Sequence, residues 1–196
     1  MELRTLPNFQ LSPRSATARA FLQHGFGDYH HAVMHVKKLP WTHAADTGDY
    51  HAVLRDGCGT IAAKHALLAA LAGEHGVSVQ LVLAVYEMNA ANTPAAAGVL
   101  RRHRADSVLD AACWLRYSDE RIDLSREPVD SARLSVLHEE VISLGQIAAY
   151  RLAVYQRHVW DWSEARGWTM ERASEVRQAC IKAFVEQLSA EAAESG

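Results

Sequence analysis

One stretch of the chain, residues 57–76, constrains the fold more than any other. It opens as a glycine turn, because Gly57 and Gly59 flank Cys58. Thr60 then supplies a hydroxyl where a helix needs an N-cap, and strong helix breakers return only at the end of the stretch. The pattern predicts a turn that leads into one helix.

This predicted helix is apolar on nearly every face. Between Ile61 and Ala72 only Lys64 and His65 interrupt the apolar residues. A helix that is apolar all round usually lies inside its domain, so we expect a central, buried helix. Its first-turn amides lack intrahelical partners and carry the positive end of the helix dipole. They therefore predict a binding site for an anion or for a developing negative charge.

The remaining segments indicate an α+β fold in a single domain over 1–196. A β-branched run over 77–86 predicts a buried strand, and 109–117 with 120–124 predict an antiparallel hairpin. Residues 50–55 predict a short strand or an extended lead-in to the glycine turn. From Pro128 onward apolar residues recur at helical spacing, among them Leu134, Leu137, Val141 and Leu144, so this part of the chain is predicted to be helical.

Composition narrows the possible partners. The chain has 196 residues, 49% of them hydrophobic, which is enough for one sizeable core. A net charge of −3 and a pI of about 6.4 give no global reason to expect nucleic acid or an acidic membrane as a partner. Three scattered cysteines do not predict a disulfide framework or a zinc site. Without a signal segment or a long apolar span, we expect a cytoplasmic protein.

Three weaker features each have a structural and a functional interpretation. His31 and His35 share a predicted helix face, which allows a metal site, but the pair lacks a third ligand and favours packed or exposed imidazoles. The basic patch at 101–104 favours a solvated surface over recognition of a carboxylate or phosphate. An aromatic stripe over 150–168 favours core packing, with a ligand pocket or a homodimer contact as alternatives.

Several motifs together resemble a small bacterial branch of the transglutaminase-like superfamily, over roughly residues 39–181. The motifs are the glycine turn with its buried Lys-His-Ala-Leu-Leu helix, Tyr86-Glu87-Met88-Asn89, Ala112-Cys113-Trp114-Leu115 and Arg121-Ile122-Asp123-Leu124. The resemblance implies a papain-like core at about 39–125, in which a central helix packs on an antiparallel sheet, followed by C-terminal helices at about 129–190. It also implies a Cys-His-Asp triad, whose positions fall on Ile61, Ala112 and Asp123.

At two of these three positions the chain departs from the family. Acyl transfer needs a thiolate to attack and an imidazole to carry a proton, and neither Ile61 nor Ala112 does either. Cys58, three residues upstream, could lie up to roughly 10 Å from the helix start. Cys113 adjoins Ala112 on a strand, so we expect its side chain on the opposite face of the sheet. The framework is retained while the nucleophile is lost.

We therefore expect a non-canonical enzyme that transfers protons on a carbonyl-bearing small molecule, by cyclisation, Michael-type addition or isomerisation, in specialised metabolite biosynthesis. Asp123 is the expected acid or base, because a carboxylate in an apolar site tends to have a raised pKa. His65 and Glu87 are the reserves, and Thr60 with the helix amides would stabilise an oxyanion or enolate. The expected substrate-binding residues are Ile61, Ala112, Tyr86, Asn89 and Trp41. Neither a cofactor nor a metal is expected.

Two other classes of function remain open. A hydrolase or acyltransferase that depends on Cys58 requires a histidine within hydrogen-bonding reach of that thiol. A catalytically inactive binding protein is the third class. In that case Asp123 would be held by a backbone hydrogen bond, His65 would be a core histidine with its hydrogen bonds made inside the protein, and Glu87 would be exposed to solvent.

Overall fold

The computed structural model describes residues 3–42, 48–125 and 134–194. Helices surround a four-stranded antiparallel sheet with the strand order β3-β2-β1-β4, which gives an α+β fold. The helices are α1 (Ala16–Gln23), α2 (Tyr29–Lys38), α3 (Ala52–Asp56), α4 (Ile61–Glu74), α5 (Ala97–Arg102), α6 (Ala149–Glu164) and α7 (Met170–Glu194). The strands are β1 (Gln80–Asn89), β2 (Ser107–Tyr117), β3 (Glu120–Ile122) and β4 (Val136–Val141). Short 3-10 turns lie at Leu3–Thr5, Pro94–Ala96 and Leu144–Ile147.

The central helix predicted from the glycine turn is α4. Thr60 is its N-cap, and the Thr60 hydroxyl accepts a hydrogen bond from the Ala63 amide at 3.2 Å. The helix contacts β1 and β2 on one side and α1 and α2 on another. Because it is covered in this way, Lys64 and His65 are buried along with the apolar residues, and the prediction of a buried central helix is confirmed.

The sheet has two different edges and two different faces. β1 pairs along its whole length with β2, whereas β3 pairs only with residues 115–117 of β2. Leu83 and Cys113 lie on the face that joins the main core with α4, while Ala84 and Ala112 belong to the opposite face. The predicted hairpin is confirmed, and its two turn residues, Ser118 and Asp119, both have positive φ, as a two-residue hairpin turn requires.

Three predictions of local structure are corrected. Residues 50–55 are not extended: α3 forms there and ends at Gly57, whose φ of 65° is the left-handed conformation that terminates helices. The strand predicted at 77–86 runs from Gln80 to Asn89. Residues 136–141, predicted to be helical, form β4, because hydrogen bonding to the second edge of β1 outweighs a local apolar spacing.

The helical C-terminal part of the chain is otherwise confirmed by α6 and α7. Its predicted beginning near residue 129 falls within 126–133, outside the described residues. Within the described ranges, no helix is long and apolar enough to cross a membrane.

Two glycines, one in the turn before α4 and one inside the helix, provide a matched test of packing. A methyl group added at Gly59 would lie 2.7 Å from Val53 Cγ2, whereas one added at Gly73, inside α4, meets nothing within 4 Å. We expect Gly59→Ala to lower the free energy of unfolding by about 1–3 kcal/mol through overpacking. Gly73→Ala should raise it by about 0.5–1 kcal/mol through helix propensity. Urea denaturation measures both, and equal effects of the two substitutions would contradict the close approach at Gly59.

Candidate functional site

A cavity of about 860 Å³ lies beside the first turn of α4, against β2, α6 and α7. Its lining comprises Thr42, Thr60, Ile61, Ala62, Asp110, Ala111, Ala112, Cys113, Ala148, Ala149, Arg151, Leu152, Glu175, Arg177, Gln178, Ala179, Ile181, Lys182 and Val185. A volume of this size is sufficient for a small organic molecule. The cavity is therefore the candidate site.

The cavity brings together three of the residues singled out in the sequence. Thr60, at the start of α4, lines it together with the predicted apolar wall residues Ile61 and Ala112. Ala62 extends the wall by one more residue of the first helical turn. A carbonyl oxygen in this part of the cavity would face the end of α4 where the backbone N–H groups lack intrahelical partners.

The lining of the cavity includes a largely buried ion pair that the sequence did not predict. Arg177 of α7 lies 2.8 Å from Asp110 of β2, and the Tyr86 hydroxyl donates to the other oxygen of Asp110 at 3.3 Å. Burial opposes the charge of Arg177, but the attraction of Asp110 prevails and the pKa of Arg177 lies above its ordinary value. The Arg177 guanidinium also lies over the Tyr155 ring, 4.3 Å from its centroid.

Tyr155 adds one hydrogen-bonding group to this cluster. The residue is 5% exposed, and its hydroxyl has no hydrogen-bond partner within the described part of the chain. Burial raises the pKa of Tyr155 to about 12, so the hydroxyl keeps its proton at neutral pH. The neighbourhood of Asp110 and Arg177 thus retains a donor that the fold itself does not use.

Arg151 anchors α6 to the sheet at the edge of β2 that β3 leaves uncovered. Its Nε donates to the Ile147 carbonyl at 2.9 Å, and one terminal nitrogen donates to the Ala111 carbonyl at 2.7 Å. Both of these acceptors are uncharged backbone groups. Arg151 therefore places a guanidinium group in the lining of the cavity.

Asp123 and His65 lie together but not in the lining of the cavity. The His65 ring is fully buried, with Nδ1 2.7 Å from the Ile61 carbonyl and Nε2 2.9 Å from the Leu124 amide. This fixes a neutral tautomer in which Nδ1 donates and Nε2 accepts. Burial lowers the pKa of His65, which also favours the neutral ring. His65 is thus satisfied by backbone groups on both sides.

The carboxylate of Asp123 is occupied by local bonds. Its Oδ1 accepts from the Ser125 amide at 2.9 Å and from the Ser125 hydroxyl at 2.6 Å. The same oxygen is 3.7 Å from His65 Nε2, too far for a hydrogen bond, and that nitrogen already accepts from a backbone amide. Asp123, which the resemblance assigns to the third position of a triad, thus stabilises a short turn after β3.

The other predicted residues near the end of β1 do not line the cavity. Glu87 accepts from Trp162 Nε1 at 2.7 Å and from Arg166 at 2.8 Å, so it joins β1 to α6 and the turn after it rather than being solvated. Asn89 accepts from the Ala91 and Asn92 amides and shapes the following loop.

Cys58 and Trp41 lie at the turn that precedes α4. Cys58 is half-buried and does not line the cavity, and within the described residues no imidazole forms a hydrogen bond with it. Trp41 is buried against Lys64, whose ammonium is 3.5 Å from the centroid of the indole ring. Cys113 lies on the α4 face of β2, opposite to Ala112 as expected, yet both residues line the cavity because it opens at the edge of the strand.

The described residues contain no group of three or more His, Cys, Asp or Glu side chains able to hold a metal ion. Of the histidine pair considered from the sequence, His31 bonds to the Asp28 carboxylate at 2.6 Å. His35 packs on the Phe26 ring at a centroid distance of 4.3 Å. Each imidazole is thus engaged by its own neighbour.

Comparison of the chain with protein-family models, with curated proteins and with solved structures gave no match.

The Asp110–Arg177 pair leads to a testable energetic prediction. Asp110→Asn keeps the shape of the side chain but leaves the Arg177 charge buried without its counter-charge, so we expect the free energy of unfolding to fall by about 3 kcal/mol or more. Adding Arg177→Met to this variant should recover part of the loss. The exposed pair Arg55–Asp56 is the control, and Asp56→Asn should cost under about 1 kcal/mol. Equal losses from the buried and the exposed substitutions in urea denaturation would contradict this account.

Proposed function

We propose that the protein is an enzyme of the transglutaminase-like type that lacks the Cys nucleophile and transfers protons on a carbonyl-bearing small molecule. The observation that carries the proposal is a single cavity lined both by the first turn of α4 and by Asp110. The start of α4 offers backbone donors for a developing negative charge, and Asp110 offers a carboxylate. The proposed reactions are a cyclisation, a Michael-type addition or an isomerisation in specialised metabolite biosynthesis.

The α4 terminus suits the first half of such a reaction. When a base removes a proton from the carbon next to a carbonyl, the electron pair of the C–H bond moves to the carbonyl oxygen and gives an enolate. Backbone N–H groups that already point at that oxygen stabilise this charge without having to reorient. Ile61 and Ala62 place this helix end directly in the lining, beside the hydroxyl-bearing Thr60.

For the proton itself, Asp110 is a better candidate than Asp123. Asp110 lines the cavity, whereas Asp123 does not and holds Ser125. In the proposed reaction Asp110 takes the proton from carbon and returns it to another atom of the substrate, so that no external acid, oxidant or cofactor is consumed. Arg177 holds the carboxylate in place, and Tyr86 orients its second oxygen.

A second candidate function is a binding protein without catalytic activity. The observation that favours it is that Asp110, Asp123, His65 and Glu87 each have protein partners already. The Cys58-dependent hydrolase or acyltransferase has less support, because both ring nitrogens of His65 are engaged by backbone groups and Cys58 lies outside the cavity lining.

The proposed activity is tested with the small-molecule extract of a strain from which the gene has been deleted. Purified protein is added in D₂O, and mass spectrometry follows which compound disappears. We expect a product that gains one deuterium, because the transferred proton exchanges with solvent on the carboxylate. The intact mass of the protein should stay unchanged, since no covalent intermediate forms. Cys58→Ala should retain the rate, whereas Ala112→Trp, which places an indole ring in the lining of the cavity, should lower it.

Asp110→Asn, assayed at a temperature where circular dichroism shows that this destabilised variant is still folded, should lower the rate at least about a hundredfold, the lower end of the usual contribution of general acid–base catalysis. Asp123→Asn should leave the rate within a few-fold if the protein remains folded by circular dichroism. An acylated protein, or loss of activity in Cys58→Ala, would establish the thiol mechanism instead. A compound that is bound with unchanged mass and no deuterium uptake would establish a binding protein.

A further inference from the structure

The cavity opens to solvent between α6 and α7. Among its lining residues, the exposed ones all belong to these two helices, and Leu152 is 50% exposed. We call the exposed lining residues the mouth of the cavity: Ala149, Leu152, Glu175, Gln178 and Lys182. The mouth is therefore a surface of the helix pair rather than of the sheet.

Beside the mouth, α6 exposes a large aromatic side chain. Trp160 is 62% exposed, the highest value among the large hydrophobic residues that the structure describes. It lies eight residues after Leu152, and side chains four positions apart on a helix stack along one ridge. Trp162, by contrast, is buried and packs against Trp168 at a centroid distance of 5.6 Å. Removing the exposed indole of Trp160 from water would stabilise a complex that covers this ridge.

The two helices form a hairpin whose two levels differ in character. Five residues join α6 to α7, and residues of both helices far from this connection line the same cavity, so the helices run in opposite directions. Leu152 lies twelve residues before the end of α6 and Lys182 twelve residues after the start of α7, so the two are level. Trp160 and Glu175 are level in the same way, four and five residues from these helix ends. At about 1.5 Å per residue, the two levels are about 10–12 Å apart.

This arrangement is self-complementary. A two-fold axis can set two such hairpins face to face and antiparallel, so that each level of one copy meets the other level of its partner. Leu152 then packs against Trp160 of the second copy, and Lys182 lies opposite Glu175 of the second copy. Both contacts occur twice, because the two copies present the same surface to each other. A parallel arrangement would place Lys182 against Lys182, so the charges favour a second copy in the antiparallel arrangement.

We propose that two copies of the chain associate through α6 and α7, and that Trp160 of each copy covers the mouth of the cavity in the other. The site is then complete only in the dimer, where a residue of the second copy excludes water from it. The inference concerns assembly and access to the cavity. It holds whether the occupant is converted or only bound, so it does not depend on the proposed function.

Lys182 is available for this contact. Its ammonium lies 3.9 Å from the Glu186 carboxylate of the same helix, and the two side chains are 62% and 63% exposed. An exposed pair of this kind is weak because water screens it. In the dimer, Glu175 of the second copy approaches from outside the helix, so Lys182 contacts both carboxylates.

The association is tested by sedimentation velocity of the full-length protein over a concentration series in the micromolar range. We expect the mass to rise from 21.7 kDa toward twice that value. Lys182→Glu and Glu175→Lys each place like charges opposite one another, so each should weaken the dimer at least about tenfold. The variant that carries both substitutions restores opposite charges and should recover the wild-type affinity. Lys38→Glu, at an exposed residue of α2, is the control for net charge and should change nothing.

The cover over the mouth is tested at the aromatic residue. Trp160→Ser should weaken the dimer at least about tenfold, because an aromatic anchor of the interface is lost. Met34→Ser, at an exposed apolar residue of α2, should leave the affinity unchanged. Wild-type affinity in Trp160→Ser would overturn the assignment of Trp160 to the interface.

The antiparallel register is tested with single cysteines in a Cys58→Ala background, which lacks the half-buried native thiol. Gln178 lies midway between the two levels, next to the axis, so Gln178→Cys should form a disulfide with its own counterpart when a mild oxidant is added. Glu186→Cys lies on the same helix about 20 Å from its counterpart and should not be cross-linked.

The proposal is overturned if the wild-type protein remains a monomer throughout the series, or if the double charge reversal does not restore association. It is also overturned if Glu186→Cys is cross-linked as readily as Gln178→Cys. Circular dichroism verifies that each variant is folded. If a variant does not fold, the wild-type series and the cysteine pair decide.

Discussion

The burial of α4 is the constraint on which the rest of the structure depends. A helix without a polar face must be covered on every side, and here the sheet, α1 and α2 provide that cover. Two polar residues are taken into the core with it. His65 is neutral, and both of its ring nitrogens form hydrogen bonds with backbone groups. Among the described residues, Lys64 contacts a backbone carbonyl and an indole ring, neither of which carries a counter-charge.

The cavity lies at the edge of β2. Because β3 pairs only with residues 115–117, the outer edge of β2 beside Ala111 and Cys113 is covered by α6 and α7 instead of by another strand. Many of the side chains that meet there are alanines, which are too small to fill the space between two helices and a sheet edge. Where the family resemblance implies a thiol and an imidazole, Ile61 and Ala112 leave an apolar wall.

Features set by neighbours in sequence could be predicted, and features set by distant contacts could not. Thr60 as an N-cap and the Ser118–Asp119 turn are local, and both are confirmed. The strand β4 forms through hydrogen bonds to β1, which is distant in sequence. Its residues were predicted to be helical because the local spacing does not reveal that pairing. The Asp110–Arg177 pair joins residues 67 positions apart, and no spacing in the sequence marks it. The resemblance pointed to Asp123, whose carboxylate instead caps the turn at Ser125.

The polar groups around the cavity also limit what chemistry can take place there. The α4 terminus offers fixed dipoles, which stabilise charge but cannot accept a proton. In the proposed reaction the proton acceptor is a side chain of the lining, and Asp110 is the carboxylate that Arg177 and Tyr86 hold there. Because Arg177 pairs with one oxygen of Asp110 and Tyr86 bonds to the other, the carboxylate is fixed in place for the proposed reaction.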